Sequence, residues 1–149
     1  MKKIYELGNI DDFISTFNEL KLGTLRRISN ETQEYPDAIC ILDDAQKIGL
    51  EATVVILPED LPNSKIEPKF PPFYDPKPAI NKLLESIHKK SHNNYKDDGI
   101  DQVWLLISGG SFISDTDLKE KVRGLHLNKT FDRIYIHKGI FPKLLLIKE

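Results

Sequence analysis

Two carboxylates interrupt the most hydrophobic stretch of this 149-residue chain, and their spacing is suited to chemistry. Asp37 precedes the run Ala38-Ile39-Cys40-Ile41-Leu42. Glu51 lies inside a second run, Ile48-Gly49-Leu50-Glu51-Ala52-Thr53-Val54-Val55-Ile56-Leu57. Between the runs, Asp43-Asp44-Ala45-Gln46-Lys47 reads as the turn of a β-hairpin. A three-residue loop at Asp43-Asp44-Ala45 pairs Leu42 with Gln46. The same register sets Asp37 opposite Glu51, with Cβ atoms roughly 4.5–5.5 Å apart. A slip of one residue would send the two to opposite faces.

Carboxylates that close repel, and one titrates high unless a cation lies between them. A hard divalent ion such as Mg²⁺, taking carboxylate and carbonyl oxygens plus water, suits this donor set. Removing either member of a repelling pair is then expected to stabilise the metal-free protein. The same residues also have a plainer reading. In it, Asp37 merely starts a strand after Pro36 and Glu51 faces solvent at a frayed edge.

Pro36-Asp37, a hydrophobic strand, a polar turn and then Lys47-Ile48-Gly49-Leu50-Glu51-Ala52-Thr53 together resemble the metal-binding core of the PD-(D/E)XK nuclease superfamily. The likeness is to members in which the second half reads Glu-X-Thr. The resemblance implies that Asp37, Glu51 and the carbonyl of Ala52 hold Mg²⁺ or Mn²⁺. It implies a metal-dependent nuclease cutting phosphodiester bonds in DNA or RNA. The departure is at Thr53, where the lysine that usually orients the attacking water is missing. Some relatives supply that lysine from the following helix, where Lys90 is the candidate, and others have lost activity. The alternative is therefore a non-catalytic member of the same fold that binds another protein, such as a toxin-neutralising immunity protein. An acid on the first helix often approaches the metal in this superfamily. Glu19 is the candidate, although a solvent-facing glutamate is the simpler reading.

The elements that must position these residues follow from periodicity. Ile10, Phe13, Ile14, Phe17 and Leu20 recur at helical spacing, with Asn9 as a cap and Gly23 as a stop. Leu22 to Ser29 reads as a short strand leading to the hairpin, both of whose strands are apolar on each face, as covered strands are. Pro78 to Tyr95 is the clearest helix, its buried stripe running through Ile80, Leu83, Leu84 and Ile87. Lys90 borders that stripe, and a lysine with its stem on the core reads equally well. His88 and His92 form an i, i+4 pair without an evident third ligand, so they read as surface histidines. Gln102 to Ser108 is another buried strand. Gly109-Gly110-Ser111 lacks the Lys-Ser/Thr of a phosphate-binding loop. A short helix from about 115 to 124 and two strands, 131–137 and 143–147, complete the chain.

This order gives an α/β fold with a mixed sheet. The resemblance makes it a restriction-endonuclease-like αβββαβ core over residues 9–108, with 109–149 as a C-terminal helix and β-hairpin extension of one domain spanning 1–149. The segment from Pro58 to Pro78 holds seven of the nine prolines together with Phe70, Phe73 and Tyr74. It is expected to be irregular and to run over the surface, as a lid, a binding loop or packing.

A net charge of −2 argues against a generally basic nucleic-acid binder. Charge is nevertheless segregated. Residues 31–60 carry eight acids against Lys47 alone, whereas Lys65, Lys69, Lys77, Lys82, Lys89, Lys90 and Lys96 follow. That basic patch suits a nucleic-acid phosphate backbone, or is simply a solvated helix face. Cys40 stands alone mid-strand and reads as a core residue. No run reaches membrane-spanning length and no secretory leader is evident, so the expectation is a cytoplasmic protein without membrane contact.

Overall fold

The computed structural model describes residues 2–28, 36–55, 77–92, 99–109, 120, 130–137 and 144–148, and the backbone alone at 2–7, 55, 77–79, 109 and 148. The elements are α1 (Lys2–Glu19), β1 (Leu25–Arg27), β2 (Ala38–Leu42), β3 (Gln46–Val55), α2 (Lys77–Lys90), β4 (Gln102–Gly109), β5 (Arg133–His137) and β6 (Leu144–Lys148). The strands form one six-stranded sheet in the order β1-β2-β3-β4-β5-β6. Pairs β1–β2, β2–β3 and β5–β6 are antiparallel, and β3–β4 and β4–β5 are parallel. The chain is thus α/β with a mixed sheet.

Alternation along the strands sorts their side chains onto two faces. On one face Ala38, Cys40, Ile48, Leu50, Ala52, Trp104, Leu106 and Tyr135 pack beneath Ile10, Phe13 and Phe17 of α1. On the other, Val103, Leu105, Ile107, Ile134 and Ile136 pack beneath Ile80, Leu83 and Ile87 of α2. Each large buried aliphatic or aromatic side chain contributes about 1.5–3 kcal/mol. The first core is aromatic: Phe13, Phe17, Trp104 and Tyr135 meet at centroid distances of 5.3–6.1 Å in tilted and edge-on pairs. A helix on each face explains why β4 lacks a polar side, whereas the α2 face of β3 carries Lys47, Glu51 and Thr53.

Several boundaries differ from expectation. Helix α1 starts at Lys2, so Asn9 lies inside it rather than capping it. The helix stops before Gly23. Lys21 takes a left-handed conformation (φ 57), while its N–H and that of Leu22 return to the carbonyls of Asn18 and Phe17. That pattern closes a helix C-terminus. Leu20, expected on the buried stripe, falls beyond the last turn and is exposed. Gly23 serves packing instead, because a Cβ there would meet Phe17 and Leu42 carbons at 3.1 Å. The C-terminal strands are not a separate appendage: β5 pairs directly with β4, and Phe131 and Ile134 join the core under α2. The expected helix at 115–124 lies outside the described residues except for Glu120, and the proline-rich segment lies outside them up to residue 76.

Candidate functional site

The hairpin turn sets the register on which the site depends. Asp43 and Asp44 both adopt left-handed backbone (φ 53 and 56), which short polar side chains tolerate better than most. The Ala45 N–H closes the loop on the Leu42 carbonyl at 3.0 Å. Thr24 anchors the turn from the side, exchanging N–H bonds of 2.8 Å with Asp43's side chain and backbone. The ladder then runs Leu42↔Gln46, Cys40↔Ile48, Ala38↔Leu50. The ladder ends at Ala38↔Leu50, and Pro36 and Asp37 form a bend just before it.

Glu51 belongs to the α2 face, since it pairs in register with Leu105, and Leu105 and Ile107 pack there. The frayed, solvent-facing reading of Glu51 is excluded, since it is 0 % exposed and Asp37 is 5 % exposed. Asp37 Oδ2 accepts the N–H of Ala52 at 2.9 Å. The Asp37 carboxylate thus reaches the residue next to Glu51. Carboxylate oxygens together with a backbone oxygen such as the Ala52 carbonyl are donors of the hard type that Mg²⁺ or Mn²⁺ takes. Among the described residues no group of three His, Cys, Asp or Glu side chains is arranged for a metal. A site here consequently depends on the backbone oxygen and water for its remaining donors.

Thr53 follows Glu51 by two positions on the same strand face and is half-buried. Lys90 ends α2, the helix over that face, and is also half-buried. Glu19 is separated from this group, being exposed on α1 against the opposite side of the sheet. Of the basic patch, Lys82 and Lys89 are exposed on α2, while Lys65, Lys69 and Lys96 lie outside the described residues.

Four positioning residues, Pro36, Gly49, Asp101 and Asp132, were not legible beforehand. Pro36 is buried, and its ring lies over Gly49: a Cβ at Gly49 would sit 3.0 Å from Pro36 Cγ and 3.5 Å from Ile100 Cγ2. A glycine inside an otherwise β-branched strand is the signal for such a close approach. Asp101 and Asp132 fasten the strand starts in the same manner. Their carboxylates accept the N–H of Lys47 and of Val103 at 2.9 and 2.8 Å.

No family model, curated protein or solved structure matches the chain. No helix among the described residues is long and apolar enough to cross a membrane.

Proposed function

We propose that this chain is a restriction-endonuclease-like domain that hydrolyses phosphodiester bonds in DNA or RNA with Mg²⁺ or Mn²⁺. The observation that carries the reading is the burial of Glu51 on the covered α2 face, with the buried Asp37 carboxylate bonded to the N–H of the adjacent Ala52. Buried carboxylates need hydrogen bonds or positive charge around them, and a divalent ion would supply such charge. The order α1-β1-β2-β3-α2-β4 adds support, because it is the αβββαβ order of that fold.

The chain's own residues then divide the work. Asp37, Glu51 and the Ala52 carbonyl hold the ion. When bound, the ion supplies charge stabilisation and a more acidic water. Strands β3 and β4 are parallel, so the helix joining them runs back against them and brings its last turn beside the start of β4. Helical side chains lean towards the helix N-terminus. Lys90, half-buried at the end of α2, is the candidate whose ammonium would steady the attacking water or the developing phosphate charge. Thr53 offers a hydroxyl on the same face. Water attacks phosphorus and gives up a proton to solvent, the bond to the leaving oxygen breaks, and that oxygen takes up a proton from solvent.

The second reading, a non-catalytic binding module such as an immunity protein, is favoured by Thr53 in the lysine position and by the complete burial of Glu51. The acidic residues 31–60 would be its binding surface. One experiment separates the two. Purified protein is incubated with single- and double-stranded DNA and RNA in Mg²⁺ and Mn²⁺, alongside Asp37→Asn and Glu51→Gln. Metal-dependent cleavage lost in both variants supports the nuclease. No cleavage of any substrate, with a specific protein partner whose association slows on charge reversal at Asp43 and Asp44, supports the module.

A further inference from the structure

The exposed side of α2 carries a second constellation that the carboxylate site does not use. His88 and His92 are both exposed, and their Nε2 atoms lie 3.2 Å apart. Their ring centroids are 4.7 Å apart and the planes cross at 86°. Two rings pointing head-on at each other across 3.2 Å would hold their centroids further apart, by a ring radius on each side. The rings instead meet at an angle, with both Nε2 atoms brought together at hydrogen-bonding distance.

The geometry points to a chelate site for a divalent transition ion of the zinc or nickel class, bound by the Nε2 atoms of His88 and His92. Two metal–nitrogen bonds of about 2.0–2.1 Å meeting near the tetrahedral angle span roughly 3.3 Å, close to the separation found here. Imidazole nitrogens select such ions over Mg²⁺, which prefers oxygen. The pair is also held in advance by its backbone. The Ser91 N–H continues the helical bonding to the Ile87 carbonyl at 3.0 Å, and its hydroxyl donates to the His88 carbonyl at 2.6 Å. The Ser91 carbonyl in turn accepts the Thr130 hydroxyl at 3.1 Å, tying this turn to the entry of β5. Because the site is exposed, water completes the coordination.

Calorimetric titration of the full chain with zinc chloride tests this, with magnesium chloride as the control. Uptake of zinc but not magnesium at this site is expected, together with a zinc-dependent rise in Tm. His88→Ala and His92→Ala should each weaken zinc binding at least about tenfold, since even changes behind a ligand cost about 10–100-fold. Both side chains are exposed, so circular dichroism of the variants should match the parent. The double variant Asp37→Asn/Glu51→Gln should still bind zinc, which keeps this site distinct from the carboxylate pair. Zinc binding unchanged in both histidine variants, or absent at millimolar zinc, overturns the proposal.

Discussion

Asp37 Oδ2 accepts the backbone N–H of Ala52 at 2.9 Å, so this buried carboxylate also fastens β3 just beyond the end of the β2–β3 ladder. This changes the stability expected on removing it. Relief of repulsion alone would favour the protein, but Asp37→Ala also leaves a buried N–H without its acceptor, which costs about 1–3 kcal/mol. Asp37→Asn keeps an oxygen for that N–H and removes the charge. Urea denaturation should therefore show Asp37→Ala less stable than Asp37→Asn by roughly that amount. Equal stabilities would mean that the hydrogen bond contributes nothing.

Activity should divide along different lines. Asp37→Asn and Glu51→Gln should each abolish metal-dependent cleavage while folding normally. Lys90→Ala should slow it by roughly 10²-fold, as expected for removal of one preorganised charge-stabilising donor. Single-turnover rates in Mg²⁺ and Mn²⁺ measure this, and a Lys90→Ala rate equal to the parent's would remove that residue from the mechanism.

Gly49→Ala tests the support beneath the site. In a strand of suitable backbone, alanine in place of glycine stabilises by about 0.4–1 kcal/mol through the unfolded chain. Here the added methyl meets the Pro36 ring at 3.0 Å, next to Asp37, and a proline ring yields little. The sign should reverse to a loss of about 1–3 kcal/mol, as for other overpacked positions. Chemical denaturation decides it, and a gain in stability would show that Pro36 moves freely.

Cys40 sets an alkaline limit. Burial pushes its thiol from the ordinary 9.0 up to about 12, with Arg27 opposing and Asp11 adding slightly. The folded chain keeps the proton where the unfolded chain has lost it. Stability from this group is whole below pH 9 and falls between pH 9 and 12, at roughly 1.4 kcal/mol per pH unit. Cys40→Ala should lack that slope in denaturation curves taken across the window. The parent thiol should react with alkylating reagents only as fast as the chain opens.

His137 sets the acid side. Burial lowers its pKa below the ordinary 6.5, partly opposed by Asp12, and its Nε2 lies 3.3 Å from Thr16 Oγ1. The unfolded chain binds the proton first, so this contribution is whole above pH 6.5 and is lost as pH falls below it. His137→Gln should flatten the stability profile just below pH 6.5. An unchanged profile would assign the acid loss to the carboxylates.

Much of this arrangement was determined by local sequence. The Asp43-Asp44-Ala45 loop and two runs of opposite chain direction leave one good register, which the ladder keeps from Leu42↔Gln46 to Ala38↔Leu50. The stripes Ile10-Phe13-Phe17 and Ile80-Leu83-Ile87 similarly fixed which helix faces turn inward, because period and turn chemistry act over a few residues. Tertiary structure decided the rest. Asn9 could cap a helix, but the chain continues the helix back to Lys2. Leu20 fits the apolar stripe by number, yet the left-handed turn at Lys21 ends the helix first. That β5 would lie parallel beside β4, that Asp37 would bond Ala52, and that Pro36 would rest on Gly49 all depend on contacts between distant segments. Such contacts are settled when both sheet faces are covered and each buried N–H must find an acceptor, conditions that no single stretch of the chain can express.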